Sequence, residues 1–91
     1  MTQGSYVDGN AIGGMLFELF GREMTDQLGC CHHCGAVNAL GAVHVYVDAP
    51  GTIIRCPNCG SVLIVIVQRP DRVRVSFEEI RWLETSINPL A

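Results

Sequence analysis

The chain has 91 residues, 48% of them hydrophobic and only 16% charged, with six arginines, no lysine and a formal charge of −3. That length allows one domain and no second independent core, and so little charge makes disorder a poor reading. A general phosphate-backbone binder needs a basic face. Here Arg69, Arg72, Arg74 and Arg81 are mixed with Asp71, Glu78, Glu79 and Glu84, so nucleic acid is disfavoured as a partner.

The uncharged stretch from Gln27 to Val47 is long enough for a bilayer, but it carries Cys30, Cys31, His32, His33, Cys34 and Asn38. A lipid-facing helix would not. The apolar run Val62–Val67 is too short to span. No membrane span is expected, and no basic segment precedes an apolar core as in a signal peptide. The expected compartment is a reducing cytoplasm. A scaffold of this size rarely draws more than about 3–5 kcal/mol from its core and needs a staple. Five cysteines, an odd count, argue against a disulfide framework. The expected staple is a metal.

Residues 1–7 read as a polar lead-in. Over 8–21, Ala11, Ile12, Met15, Leu16, Leu19 and Phe20 fall on one face of an amphipathic helix. Asp8 or Asn10 can cap it. Gly13 and Gly14 each cost about 1 kcal/mol relative to alanine inside a helix. They imply tertiary support, either close packing on the protein's own sheet or a close partner helix.

Beyond Gly29 the period falls to two. Val43, Val45 and Val47 alternate with His44, Tyr46 and Asp48 as in a half-buried strand. Ala49-Pro50-Gly51-Thr52 suits a type II turn, and Ile53 and Ile54 begin the return. Val62–Val67 is apolar on both faces and reads as a central strand covered on both sides. Arg69-Pro70-Asp71 marks a turn, and Val73, Val75 and Phe77 alternate in a last strand. Ser76 and Glu79 have capping-box spacing, which predicts a short helix over 77–84 carrying Ile80 and Leu83 inward. A strand remains the alternative there.

The chemistry is concentrated in Cys31-His32-His33-Cys34-Gly35 and Cys56-Pro57-Asn58-Cys59-Gly60. Two intervening residues let a tight turn aim both sulfurs at a point about 2.3 Å from a metal. The following glycine lets backbone N–H groups turn toward sulfur. Cys31, Cys34, Cys56 and Cys59 are thus the candidate ligands of a tetrahedral four-sulfur site. Four thiolates and one divalent ion would take the formal charge from −3 to about −5. Cys30 could replace Cys31, but the C-x-x-C-G pattern favours Cys31 and leaves Cys30 a free or buried thiol. His32 and His33 occupy the turn, where side chains face solvent. His44 reads as a surface histidine, and Trp82 as core or as a binding anchor. No nucleophile motif, paired carboxylates or phosphate loop is found.

Two C-x-x-C-G knuckles joined by antiparallel strands resemble a zinc ribbon, over about residues 30–77. The whole chain, with Asp8-Gly9-Asn10-Ala11 before a helix and His44–Gly51 before the second knuckle, also resembles a family of uncharacterised small bacterial zinc-ribbon proteins. That resemblance implies an α+β fold: an N-terminal helix, a small antiparallel sheet bearing both knuckles, and a C-terminal segment 78–91, all in one domain. It implies zinc and no established activity. The knuckles are also similar to those of rubredoxin, where Gly35, Pro57 and Gly60 all fit, which makes iron the alternative metal. With only six aromatics and an aliphatic core, zinc is preferred. The function expected is a non-enzymatic module that binds a protein partner or a second copy. The motive is the double-sided apolar strand 62–67 set against one amphipathic helix. Electron transfer through iron is the rival.

Overall fold

The structure is a computed structural model that describes residues 6–48 and 50–87. Val7–Asp8 forms a short strand, β1, followed by a 3-10 turn at Gly9–Ile12 and helix α1 at Gly13–Phe20. Asp8 is the cap: its carboxylate accepts a hydrogen bond from the Asn10 N–H at 3.1 Å. The single helix expected over 8–21 is therefore split, with Gly13 and Gly14 at the join rather than inside a continuous helix. Neither glycine permits a close approach to the sheet. A Cβ on Gly14 would meet nothing within 4 Å, and one on Gly13 would meet Thr25 Cγ2 at 3.3 Å. The close approach is at Gly9, where a Cβ would overlap the Leu40 carbonyl. Leu40–Ala42 is a second 3-10 turn, so the two turns press backbone to backbone.

Seven further strands follow: β2 Leu28–Cys31, β3 Val37–Ala39, β4 His44–Asp48, β5 Gly51–Arg55, β6 Val62–Gln68, β7 Val73–Phe77 and β8 Ile80–Leu83. They form two antiparallel sheets where one was expected, a five-stranded sheet β1-β4-β5-β6-β7 and a three-stranded sheet β3-β2-β8. Among the described residues the architecture is mixed α+β with one short α-helix. Asp48 pairs with Gly51, which confines the β4–β5 loop to positions 49 and 50. The type II turn expected over Ala49–Thr52 is therefore not formed, because Gly51 and Thr52 already belong to β5. Ala49 lies outside the described residues, and Gly51 opens β5 without the positive φ that turn requires.

Register assigns the faces, because residues directly opposite each other share one. Val45, Ile54 and Ile64 lie side by side across β4, β5 and β6, with Thr52 and Ile66 beside them. Ile12, Leu16, Met24 and Leu40 close over this row and complete one buried core. The opposite face carries Tyr46, Ile53 and Val65 in register, all half-buried. Cover on both sides of β6, which its unbroken apolar run implied, is thus not found. Ile64 and Ile66 are buried while Val65 and Val67 are half-buried.

The helix predicted over 77–84 is replaced by strand β8, which pairs Gly29 with Leu83, Cys30 with Trp82 and Cys31 with Ile80. A three-residue β3 satisfies only one edge of β2, and β8 satisfies the other. Ile80 and Leu83 pack on the core, whereas Trp82 stays 38% exposed. The C-terminal segment therefore extends a sheet rather than folding over the outer face of the larger one. No helix among the described residues is long and apolar enough to cross a membrane.

Candidate metal centre

Each knuckle is the loop of a β-hairpin, and the two are built alike. In the first, Cys31 N–H donates to the Ala36 carbonyl and Gly35 N–H to the Cys31 carbonyl, both at 2.9 Å. In the second, Cys56 N–H donates to the Ser61 carbonyl and Gly60 N–H to the Cys56 carbonyl, again at 2.9 Å. Gly35 and Gly60 have φ values of 77° and 82°, a left-handed conformation that costs other residues about 1–2 kcal/mol. In each knuckle the first cysteine is buried (Cys31 2% exposed, Cys56 1%) and the second, Cys34 or Cys59, is exposed.

The structure brings Cys31, Cys34, Cys56 and Cys59 together, with all four sulfurs within 4.8 Å of one another. Cys31 Sγ lies 3.7 Å from Cys59 Sγ, and Cys34 Sγ lies 3.7 Å from Cys56 Sγ. A tetrahedron with metal–sulfur bonds of about 2.3 Å has edges of about 3.8 Å, whereas a disulfide needs about 2.05 Å. Both short edges run from one knuckle to the other. The four cysteines are positioned to bind one metal ion.

The two exposed thiols of the cluster are shifted in opposite directions. The hydroxyl and backbone N–H of Ser61 hold the Cys59 thiol down to about 6, with Cys59 Sγ 3.3 Å from Ser61 Oγ. The Ala36 N–H draws Cys34 down, but desolvation and the sulfurs of Cys56, Cys59 and Cys31 outweigh it and push the thiol up to about 12. One thiolate at this cluster discourages the next unless a cation neutralises them.

Several contacts that sequence reasoning missed hold the loops in place. Asn38 Nδ2 donates to Asn58 Oδ1 at 2.9 Å, which bridges the knuckles. Arg55 Nη1 donates to the Gly60 carbonyl at 2.8 Å, while Asn58 N–H donates to Cys56 Sγ at 3.4 Å, an N–H-to-sulfur contact of the kind the knuckle pattern implies. His32 N–H donates to the Glu79 carbonyl at 2.8 Å, tying the first knuckle to the segment before β8. The Asn and Glu79 contacts are long-range and leave no local signal. Ser61, two residues past Cys59, is the one that spacing could have flagged.

Cys30 is buried and stands outside the cluster, its Sγ 3.7 Å from the carbonyls of Cys31 and Gly35. His32 and His33 are exposed and are not among the clustered groups. His44 stacks on Tyr6 with ring centroids 3.9 Å apart, on the outer face of the larger sheet. A model of a family described as "Family of unknown function (DUF6510)" matches residues 2–88. No curated protein and no solved structure matches the chain.

Proposed function

The chain belongs to DUF6510, a family of unknown function, and we propose from its metal centre that it is a non-enzymatic, structural zinc protein of zinc-ribbon type. One observation carries this reading. Four cysteine sulfurs lie within 4.8 Å of one another, a complete tetrahedral shell. A complete shell leaves no position for substrate or water, so the metal's role is to hold the fold.

Zinc is preferred to iron because Cys31 and Cys56 join an aliphatic core of leucine, isoleucine and valine, with Phe20 the aromatic packed on it. The rival, a rubredoxin-like electron carrier, draws on the Asn58 N–H directed at Cys56 Sγ, a contact that tunes thiolate charge. Free cysteines at all five positions suit a reducing compartment such as the cytoplasm. The working surface is protein-binding: the open face presents Tyr46, Ile53, Val65 and Val67, with Arg55 over the Tyr46 ring at 5.7 Å and Arg74 opposite Val67. Metal analysis and absorption of the protein as isolated test the reading. The expected result is one zinc per chain and no visible colour. A red protein holding one iron would replace the structural reading with electron transfer.

A further inference from the structure

Strand β7 is an outer edge of the five-stranded sheet, and among the described residues no strand pairs with its free side. Its ladder with β6 aligns Phe77 with Ile64, Val75 with Ile66 and Val73 with Gln68. In the same register, Arg69 N–H donates to the Arg72 carbonyl and Glu78 N–H to the Leu63 carbonyl, both at 2.8 Å. Bonded and non-bonded pairs alternate along an antiparallel ladder. Arg72, Arg74, Ser76 and Glu78 therefore turn their backbone groups to β6, and Val73, Val75 and Phe77 turn theirs outward. The same three residues lie on the core side of the sheet, where Val75 packs against the buried core. Val73 is 41% and Phe77 52% exposed.

We propose that this edge pairs with the same edge of a second copy, antiparallel, about a two-fold axis at Val75. The two sheets then run on as one. Val73 of each copy faces Phe77 of the other and Val75 faces Val75, and these are the residues whose N–H and C=O groups point outward. Three bonded pairs give about six hydrogen bonds, and the apolar row continues across the join. On the other face Arg72 meets Glu78 at both ends and Arg74 meets Ser76, so these pairs are complementary; Arg72 also holds Asp71 of its own chain at 3.1 Å, and Asp71 falls opposite Glu79 beyond the strand ends.

Neighbouring registers are worse. An axis at Arg74 opposes the two Arg74 side chains. An axis at Ser76 pairs Val73 with Glu79, whose N–H is already given to the Val62 carbonyl and whose carbonyl accepts from His32. Arg74 thus guards the edge against unrelated strands, as charged residues on edges do, while leaving this one register open. The inference stands on the ladder geometry and holds whichever metal the cysteines bind.

Sedimentation velocity of the metal-loaded full chain over a range of concentrations is the test. The expected species has about twice the 9.9 kDa of one chain. Val75→Pro removes an outward N–H and none of the β6 ladder, a placement proline tolerates on an edge, so it should give a folded monomer with its metal retained. Arg72→Glu should weaken association about tenfold through two equivalent reversed pairs, and the exchange Arg72→Glu with Glu78→Arg should restore it. A monomer at every concentration overturns the proposal. So does a dimer that survives Val75→Pro, which would point to the outer face instead. Should Val75→Pro fail to fold, the charge exchange decides, and no weakening or no rescue overturns it.

Discussion

The knuckle Cys31–Gly35 sits between strands of four and three residues, whereas Cys56–Gly60 joins strands of five and seven. Their two closing backbone bonds correspond, yet their supports do not. The second knuckle rises from β5 and β6, whose Ile54, Ile64 and Ile66 lie at the centre of the buried core. The first rises from a three-stranded sheet to which Cys31, Ile80 and Leu83 bring most of the core contact. Equal ligand loops on unequal sheets teach that a metal here has different work on its two sides. It decorates a sheet that packing already holds, and it anchors one that packing holds only in part.

The largest expected effect comes from removing a ligand. For the zinc proposed above, binding worth about 10–16 kcal/mol in apparent terms would exceed or match the whole stability of a domain this small. Cys34→Ser and Cys59→Ser should each lose the metal and the three-stranded sheet with it, whereas Cys30→Ser should keep both. Hydrogen exchange of the variants reads the comparison directly: amides of β2, β3 and β8 should lose protection ahead of those of β5 and β6. Full metal occupancy in Cys59→Ser would overturn the ligand assignment, and equal loss in both sheets would remove the asymmetry.

Next in size is the converse. Ile54→Ala opens a cavity under the larger sheet and should cost about 2–5 kcal/mol, seen as a fall in the thermal midpoint. Below that midpoint the metal content should not change. Metal lost from the folded variant would mean that the second knuckle leans on the ion as heavily as the first. The smallest effect probes the loops themselves. Gly35→Ala and Gly60→Ala place a side chain at φ near 80° with nothing within 4 Å of the new Cβ. Each should cost about 1–2 kcal/mol, and the two melting shifts should agree. A shift confined to one variant would break the equivalence of the loops.

What could be read from residues alone divides along the same line between local and distant. The four cysteines were legible because ligand spacing and the following glycine are confined to five residues. The alternation of β4 and β7 was legible because period two is a property of a short window. Strand β8 was not: Ser76 and Glu79 satisfy a helix-start pattern, and only the free edge of β2, far back in the chain, makes Ile80–Leu83 extended. The split of the first helix depends on Gly9 meeting Leu40, again a contact with no local trace. The half-exposure of Val65 and Val67 follows from the number of elements available to cover a sheet, and one strand's composition does not state that number.

The pairing of β2 with β8 has a consequence for the order in which the molecule can form. Gly29 and Leu83 are neighbours in space but lie toward opposite ends of the sequence, and such contacts close late because a long loop must be ordered first. Both knuckles and the β4–β5–β6 meander are complete by Gln68. The four sulfurs can therefore gather around an ion before β8 has docked on β2. Until then one edge of β2 stays bare and the His32 N–H lacks the Glu79 carbonyl. A released chain truncated before residue 79 would carry its metal and an unfinished sheet, the form of this protein most exposed to a stray strand.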